Sequence, residues 1–149
     1  MRQALVRLHR WLGLGTALFL AVAALTGSAL AYKDELEAWF APQLFVATPP
    51  RPDDAAAGLM EAFALREIVQ HAHPQAAALH LSFPQPGRTA MFFLFPRIDP
   101  QTGQAAPLPV DQVFVDPYSG QITGARKWGE LFAGGSFRVE NVVPFVWRL

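Results

Sequence analysis

The residues through which this chain could do chemistry are few: four histidines, a scatter of serines and a modest set of carboxylates. Cysteine is absent, which excludes disulfides, thiolate-held metals and a cysteine nucleophile. His9 lies one turn before a long apolar run, and an imidazole at such an edge can ligate haem through a neutral ring nitrogen. It stands between Arg7 and Arg10, however, where a histidine is more often part of a solvated flank. His71 and His73 are two residues apart, which on a helix separates them by about 200°. A shared metal needs a spacing of three or four. His80 lies farther on, and the local sequence supplies no carboxylate to complete a site, so no shared metal is expected. Ser82, Ser119 and Ser136 lack the context of a nucleophile elbow. Neither His-Glu-x-x-His nor a glycine-rich phosphate loop is present, and Gly134-Gly135 reads only as a turn. Asp111 and Asp116 flank a strand-like stretch, which does not by itself make a catalytic carboxylate pair.

Composition explains why the chemistry is sparse. Of 149 residues, 52% are hydrophobic and only 16% are charged. Soluble domains carry about 25% charged residues, so the deficit points to a membrane segment. Net charge is zero, but Arg2, Arg7 and Arg10 face no acid in the first 32 residues, whereas the remainder carries nine Lys/Arg against twelve Asp/Glu. No basic stripe exists of the kind phosphate backbones require, so nucleic acid is not an expected partner.

From Leu12 to Tyr32 the chain runs 21 residues without a charge. As a helix it would be about 31 Å long, matching a hydrocarbon core of about 30 Å. Trp11 and Tyr32 bracket the run, where amphipathic rings favour the headgroup region. The arginines precede it and Asp34, Glu35 and Glu37 follow, which puts the N-terminus in the cytoplasm by the positive-inside rule. A cleavable signal peptide fits the same residues: the arginines form an n-region, Leu12 to Leu25 an apolar region, and Ala29-Leu30-Ala31 a small-x-small site that would leave a mature chain beginning at Tyr32. Either outcome exports residues 33 onward. Gly13, Ala17, Ala21, Ala24 and Gly27 recur at steps of four and three, a face that permits close helix packing in a membrane.

The elements beyond are short, as thirteen prolines and eleven glycines suggest. Residues 1–40 are expected to hold the transmembrane helix and its flanks, with Leu36, Trp39 and Phe40 giving KDELEAWF one apolar face. Residues 41–58 read as a Pro/Ala-rich linker. A helix is predicted from Leu59 to His73, with Leu65, Ile68, Val69 and Ala72 on one face, stopped by Pro74. Strands are predicted at 77–83, 89–95 and 111–116. The plainest hairpin is QVFVDPYSGQITGAR, in which Asp116 bonds the turn backbone, Pro117 presets the turn and Gly120 takes a positive φ. The expected fold is α+β: one N-terminal transmembrane helix, then over residues 59–127 a helix packed on an antiparallel sheet of about four strands. Residues 128–149 are a connector.

Two stretches together resemble one family. LHRWLGLGTALFLAVAALTGSALAYKDELEAW, residues 8–39, is similar to the first transmembrane helix of the PepSY-associated transmembrane proteins, with its His-Arg-Trp-Leu-Gly opening and Thr-Gly exit. VFVDPYSGQITGAR is similar to the strand, turn and strand of their PepSY-like exported region. Members are multi-helix inner-membrane proteins associated with iron uptake, and some are ferric siderophore reductases carrying b-type haem between helices. The resemblance implies a retained helix rather than a cleaved signal, and His9 as a haem ligand on the cytoplasmic side. It also implies a second ligand from another helix, in cis or in another subunit. In the family a second transmembrane helix follows the exported region, and here NVVPFVWRL, residues 141–149, stands where that helix would begin.

Three functions are therefore expected to compete: the N-terminal part of a haem-containing ferric siderophore reductase in the inner membrane, a membrane-tethered PepSY-like binding or regulatory module without chemistry, and a secreted periplasmic domain released at Ala31. Enzymatic activity is expected only from a complete multi-helix protein.

Overall fold

The computed structural model describes residues 2–80 and 83–148, with the side chains of His80 and Ala133 left aside. Two compact units divide near Glu35. The first is essentially helix α1, Arg2–Ala31, in which no residue is buried. It is long and apolar enough to cross a membrane. Its hydroxyls are consistent with that setting: Thr16, Thr26 and Ser28 each donate to the carbonyl four residues earlier, at 2.9, 2.9 and 2.8 Å. A helix in lipid must satisfy its polar groups internally, and these do.

The second unit is an α+β domain. Helix α2, Lys33–Phe40, leads into a short turn of helix α3, Pro42–Phe45, started by a proline whose missing N–H costs nothing there. Helix α4, Ala62–Ala72, precedes four strands: β1 Ala76–His80, β2 Ala90–Pro96, β3 Gln112–Val115 and β4 Ile122–Arg126. They pair antiparallel in sequence order, so the sheet is a plain meander. The expected α+β architecture is thus present, with the predicted strands displaced by a few residues at most where they fall on described residues; residues 81 and 82 of the first predicted strand lie outside them.

Strand periodicity divides the residues between two faces. Ala76 and Ala78, Ala90, Phe92 and Leu94, and Val113 and Val115 form one core with Leu65 and Val69 of α4. Ile68 is only partly buried, and Ala72, expected on this face, is exposed where the helix ends at Pro74. On the opposite face Phe114 packs with Ala41 and Leu44, flanked by Phe45 and Met91. Gly124 of β4 is what lets Leu44 lie so close, since a Cβ there would collide with the leucine methyl. Within the stretch 41–58, linker-like in composition, Ala41, Leu44 and Ala47 are buried. Proline and alanine content does not reveal such burial, because it depends on what Phe114 offers as a partner.

The edge strand β1 is closed by side chains of α4. The amide nitrogen of Gln70 donates to Ala76 O at 2.6 Å and its oxygen accepts from Ala78 N at 3.3 Å, while Arg66 donates to Ala78 O at 2.8 Å. Those are backbone groups an added strand would otherwise use.

The motif Asp-Pro-x-(Thr/Ser)-Gly-Gln occurs twice, at residues 99–104 and 116–121, and folds the same way each time. In the first copy Asp99 N donates to Gln104 O at 2.9 Å and Gly103 N to Asp99 O at 2.8 Å; in the second, Asp116 N donates to Gln121 O and Gly120 N to Asp116 O, both at 2.8 Å. Each aspartate also accepts from the backbone two residues on, at 2.8 and 2.9 Å. Gly103 and Gly120 have φ of +68° and +71°, a region open to glycine at little cost. Tyr118, at the x of the second copy, goes further. Its hydroxyl donates to Ala55 O at 2.6 Å and accepts from Gly87 N at 3.0 Å, tying two loops to the hairpin.

After β4 the chain makes a two-residue hairpin, β5 Phe132–Ala133 and β6 Ser136–Phe137, around Gly134 and Gly135 with φ of +58° and +81°. Positive φ at both central residues suits the right-handed twist of a tight hairpin. A 3₁₀ turn, Val139–Asn141, and helix α5, Val142–Arg148, follow.

Candidate functional site

Two places carry chemistry-bearing residues, one in each unit. On α1 His9 is exposed. Because α1 is continuous from Arg2 to Ala31, the small residues Gly13, Ala17, Ala21, Ala24 and Gly27 share one side with His9, which heads them one turn earlier; at 100° per residue all six fall within an arc of about 120°. His9 therefore lies on the side of the helix best suited to close approach by another helix.

In the α+β domain the central feature is Arg126, at the end of β4. Its Nε donates to Gln112 Oε1 at 2.6 Å, one terminal nitrogen donates to Glu140 O at 2.5 Å, and the other to Glu37 Oε2 at 2.9 Å. The guanidinium carbon lies 5.3 Å from the ring centre of Phe45 and 5.4 Å from that of Phe114, within cation–π range. Both charged side chains are only 2% exposed. Burial pushes the guanidinium pKa down, and the neighbouring Glu37 charge works against it. Arginine nevertheless stays protonated, so the pair is ionic.

Nothing in the spacing of the sequence announces this cluster. The apolar face of KDELEAWF, formed by Leu36, Trp39 and Phe40, was expected to lie along the membrane interface or against the exported domain; in α2 the buried residue is Glu37, and Trp39 is 76% exposed. The reason is Arg126: a carboxylate held against a guanidinium can be buried where a lone one cannot. The only sequence signal was a charged residue terminating an apolar strand.

Beside the cluster lies an open cavity of about 240 Å³, lined by Arg126, Lys127, Glu130, Arg138, Glu140 and Asn141 with Pro109 and Val110. Asn141 donates through Nδ2 to Glu130 O at 2.7 Å, which fixes the amide orientation. Its buried Oδ1 has no partner among the described residues. Three cations and two carboxylates thus surround a space that suits a small ligand bearing both signs of charge.

The other candidates are placed as follows. His71 is in the last turn of α4 and His73 is its C-terminal cap; the His80 side chain and Ser82 lie outside the described residues. Among the described residues no three metal-capable side chains cluster. Ser119 donates to Asp116 Oδ2 at 2.8 Å, a turn contact, and Ser136 sits in the exposed β5–β6 hairpin. Asp111 accepts from Trp128 N at 2.6 Å and lies 3.9 Å from Lys127, away from the turn that holds Asp116.

A long unburied apolar helix joined to a meander sheet with one covering helix defines a membrane protein built of an anchor and a small α+β domain. The chain belongs to the family of the PepSY-associated TM region, whose sequence model matches residues 6–143. No curated protein matches it.

Proposed function

We propose that the chain is one wall of a haem-binding helix bundle in a bacterial inner membrane, with its N-terminus cytoplasmic and its α+β domain periplasmic, serving ferric siderophore reduction. The observation that carries this reading is His9 at the head of the small-residue side of α1. The resemblance of the HRWLG opening to haem-carrying relatives adds to it, and Arg2, Arg7 and Arg10 before the apolar run support the orientation.

His9 would be the residue of this chain that holds a haem: it is exposed, and Gly13 and Ala17 in the next two turns carry little side chain beside it. The second ligand belongs to another helix. Bound there, haem would supply one-electron transfer, while α1 would hold the imidazole and exclude water from that edge.

Membranes from cells expressing the gene should show a Soret band that His9→Ala weakens or abolishes while the protein remains in the membrane. Wild-type membranes without haem would sink the reading. An N-terminal mass corresponding to a start at Tyr32 would favour a secreted domain.

A second reading rests on a different observation, the mixed-charge cavity beside Arg126. In it the domain is a membrane-tethered, non-catalytic module that holds a peptide segment through Lys127 and Arg138 on one side and Glu130 on the other. Retained peptide binding by His9→Ala together with absent haem would select it.

A further inference from the structure

The β5–β6 hairpin exposes its largest residues. Phe132 is 65% and Phe137 57% exposed, their rings packed edge to face at 5.7 Å. Every residue from Leu131 to Phe137 is uncharged. Two bare phenylalanines at a glycine turn are a poor surface for water and a good one for the boundary between headgroups and acyl chains.

Connectivity says which surface is near. Arg126 bonds both Glu37 and the carbonyl of Glu140, so these two residues lie within the reach of one guanidinium. Glu37 is five residues beyond Tyr32, the end of the charge-free membrane run, and five residues of chain stretch no farther than about 18 Å. Glu140 is three residues beyond Phe137. The root of the hairpin therefore lies near Glu37 within the domain, and Glu37 is only five residues along the chain from the end of the membrane run. Trp39, 76% exposed on α2, is rooted there too, and tryptophan favours the interface. Arg138, at the end of the hairpin, is half exposed, and Arg148 packs over Gly129 at its base. Glu130 and Glu140 offset those charges, so the rings rather than headgroup attraction carry the contact.

We propose that the β5–β6 hairpin is a second, non-spanning membrane foot, inserting Phe132 and Phe137 into the interfacial layer of the same bilayer that holds α1. Tethering by α1 keeps the hairpin at high effective concentration next to lipid, so even a shallow insertion is occupied.

Absence of cysteine makes the test direct. Phe132→Cys, Phe137→Cys and, as an exposed reference on α4, Glu67→Cys would each carry a nitroxide on the full chain in phosphatidylcholine/phosphatidylglycerol vesicles. Collision with oxygen should exceed collision with a water-soluble nickel chelate at 132 and 137, and the reverse should hold at 67. Equal nickel access at all three positions would overturn the proposal. So would spin–spin broadening at 137 that disappears on dilution with unlabelled protein, since that makes a second copy the occupant. A label at Ser136→Cys should lose its lipid signature when Phe132 and Phe137 are both changed to serine; if it keeps the signature, the rings are not what inserts.

Discussion

Arg126 and Glu37 form a buried ion pair at 2.9 Å across 89 residues of sequence, joining the last strand of the sheet to the helix that follows the membrane segment. Taking two charges out of water is expensive, and the arrangement persists because Gln112, the Glu140 carbonyl and two aromatic rings share the guanidinium. Arg126→Ala removes the guanidinium that faces the buried Glu37 carboxylate and should destabilise the domain by about 3–5 kcal/mol. The double change Arg126→Met with Glu37→Leu should recover a large part of that loss. Urea unfolding of the detergent-solubilised chain, followed by tryptophan fluorescence, measures both.

The twin Asp-Pro turns separate backbone cost from packing cost. Gly103→Ala meets open space, so its penalty is that of the left-handed backbone, about 1–2 kcal/mol. At Gly120 the new methyl would also come within 2.8 Å of the Ile68 side chain. Gly120→Ala should therefore be the more destabilising of the two in the same unfolding measurement; equal losses would mean that Ile68 simply moves aside.

Gln70, Arg66 and Arg97 together block the free edge of β1, so Gln70→Ala should leave the fold intact and free only Ala78 N, whereas Gln70→Ala combined with Arg66→Ala and Arg97→Ala should open Ala76 and Ala78 to another strand. Sedimentation in detergent should reveal stronger concentration-dependent association for the triple variant than for the parent chain.

Asp99 is solvent-exposed, yet its carboxyl pKa is lowered, chiefly by the backbone N–H of Gln101 and then by Thr102. A carboxylate with a depressed folded pKa stabilises its turn above the unfolded pKa and loses that contribution as pH falls through the folded one. Asp99→Asn should thus loosen the 99–104 turn at neutral pH and have little effect in strong acid. Amide exchange of Gln101 and Gly103 against pH reports the difference.

Much of this architecture was legible in the residues. The apolar run, the Pro74 stop, the strand-forming runs that became β2 and β3 and the Gly120 turn are each set by local chemistry, and each is where it was expected. Partnerships across the chain were not legible. Glu37 read only as one of the acidic residues that follow the membrane run and Leu44 as part of a linker, because burial at both depends on Arg126 and Phe114, residues contributed by strands 70 or more positions away. The first Asp-Pro turn was written in the sequence as plainly as the second, but it lacks the strong flanking strands that drew attention to its twin. His9 was legible as a residue type; its alignment with the glycine and alanine side of α1 becomes plain once the helix is unbroken from Arg2.

The two bonds of the Tyr118 hydroxyl bear on how the chain would respond to proteases. Residues 47–58 carry no strand and only one short helical turn, the profile of a segment that an endoprotease would nick readily. With Ala55 clasped by the phenol and Met60 N bonded to Pro117 O at 2.8 Å, that segment lies fastened along the hairpin. Cleavage there should first require the clasp to open, and the two fragments should stay associated after the cut.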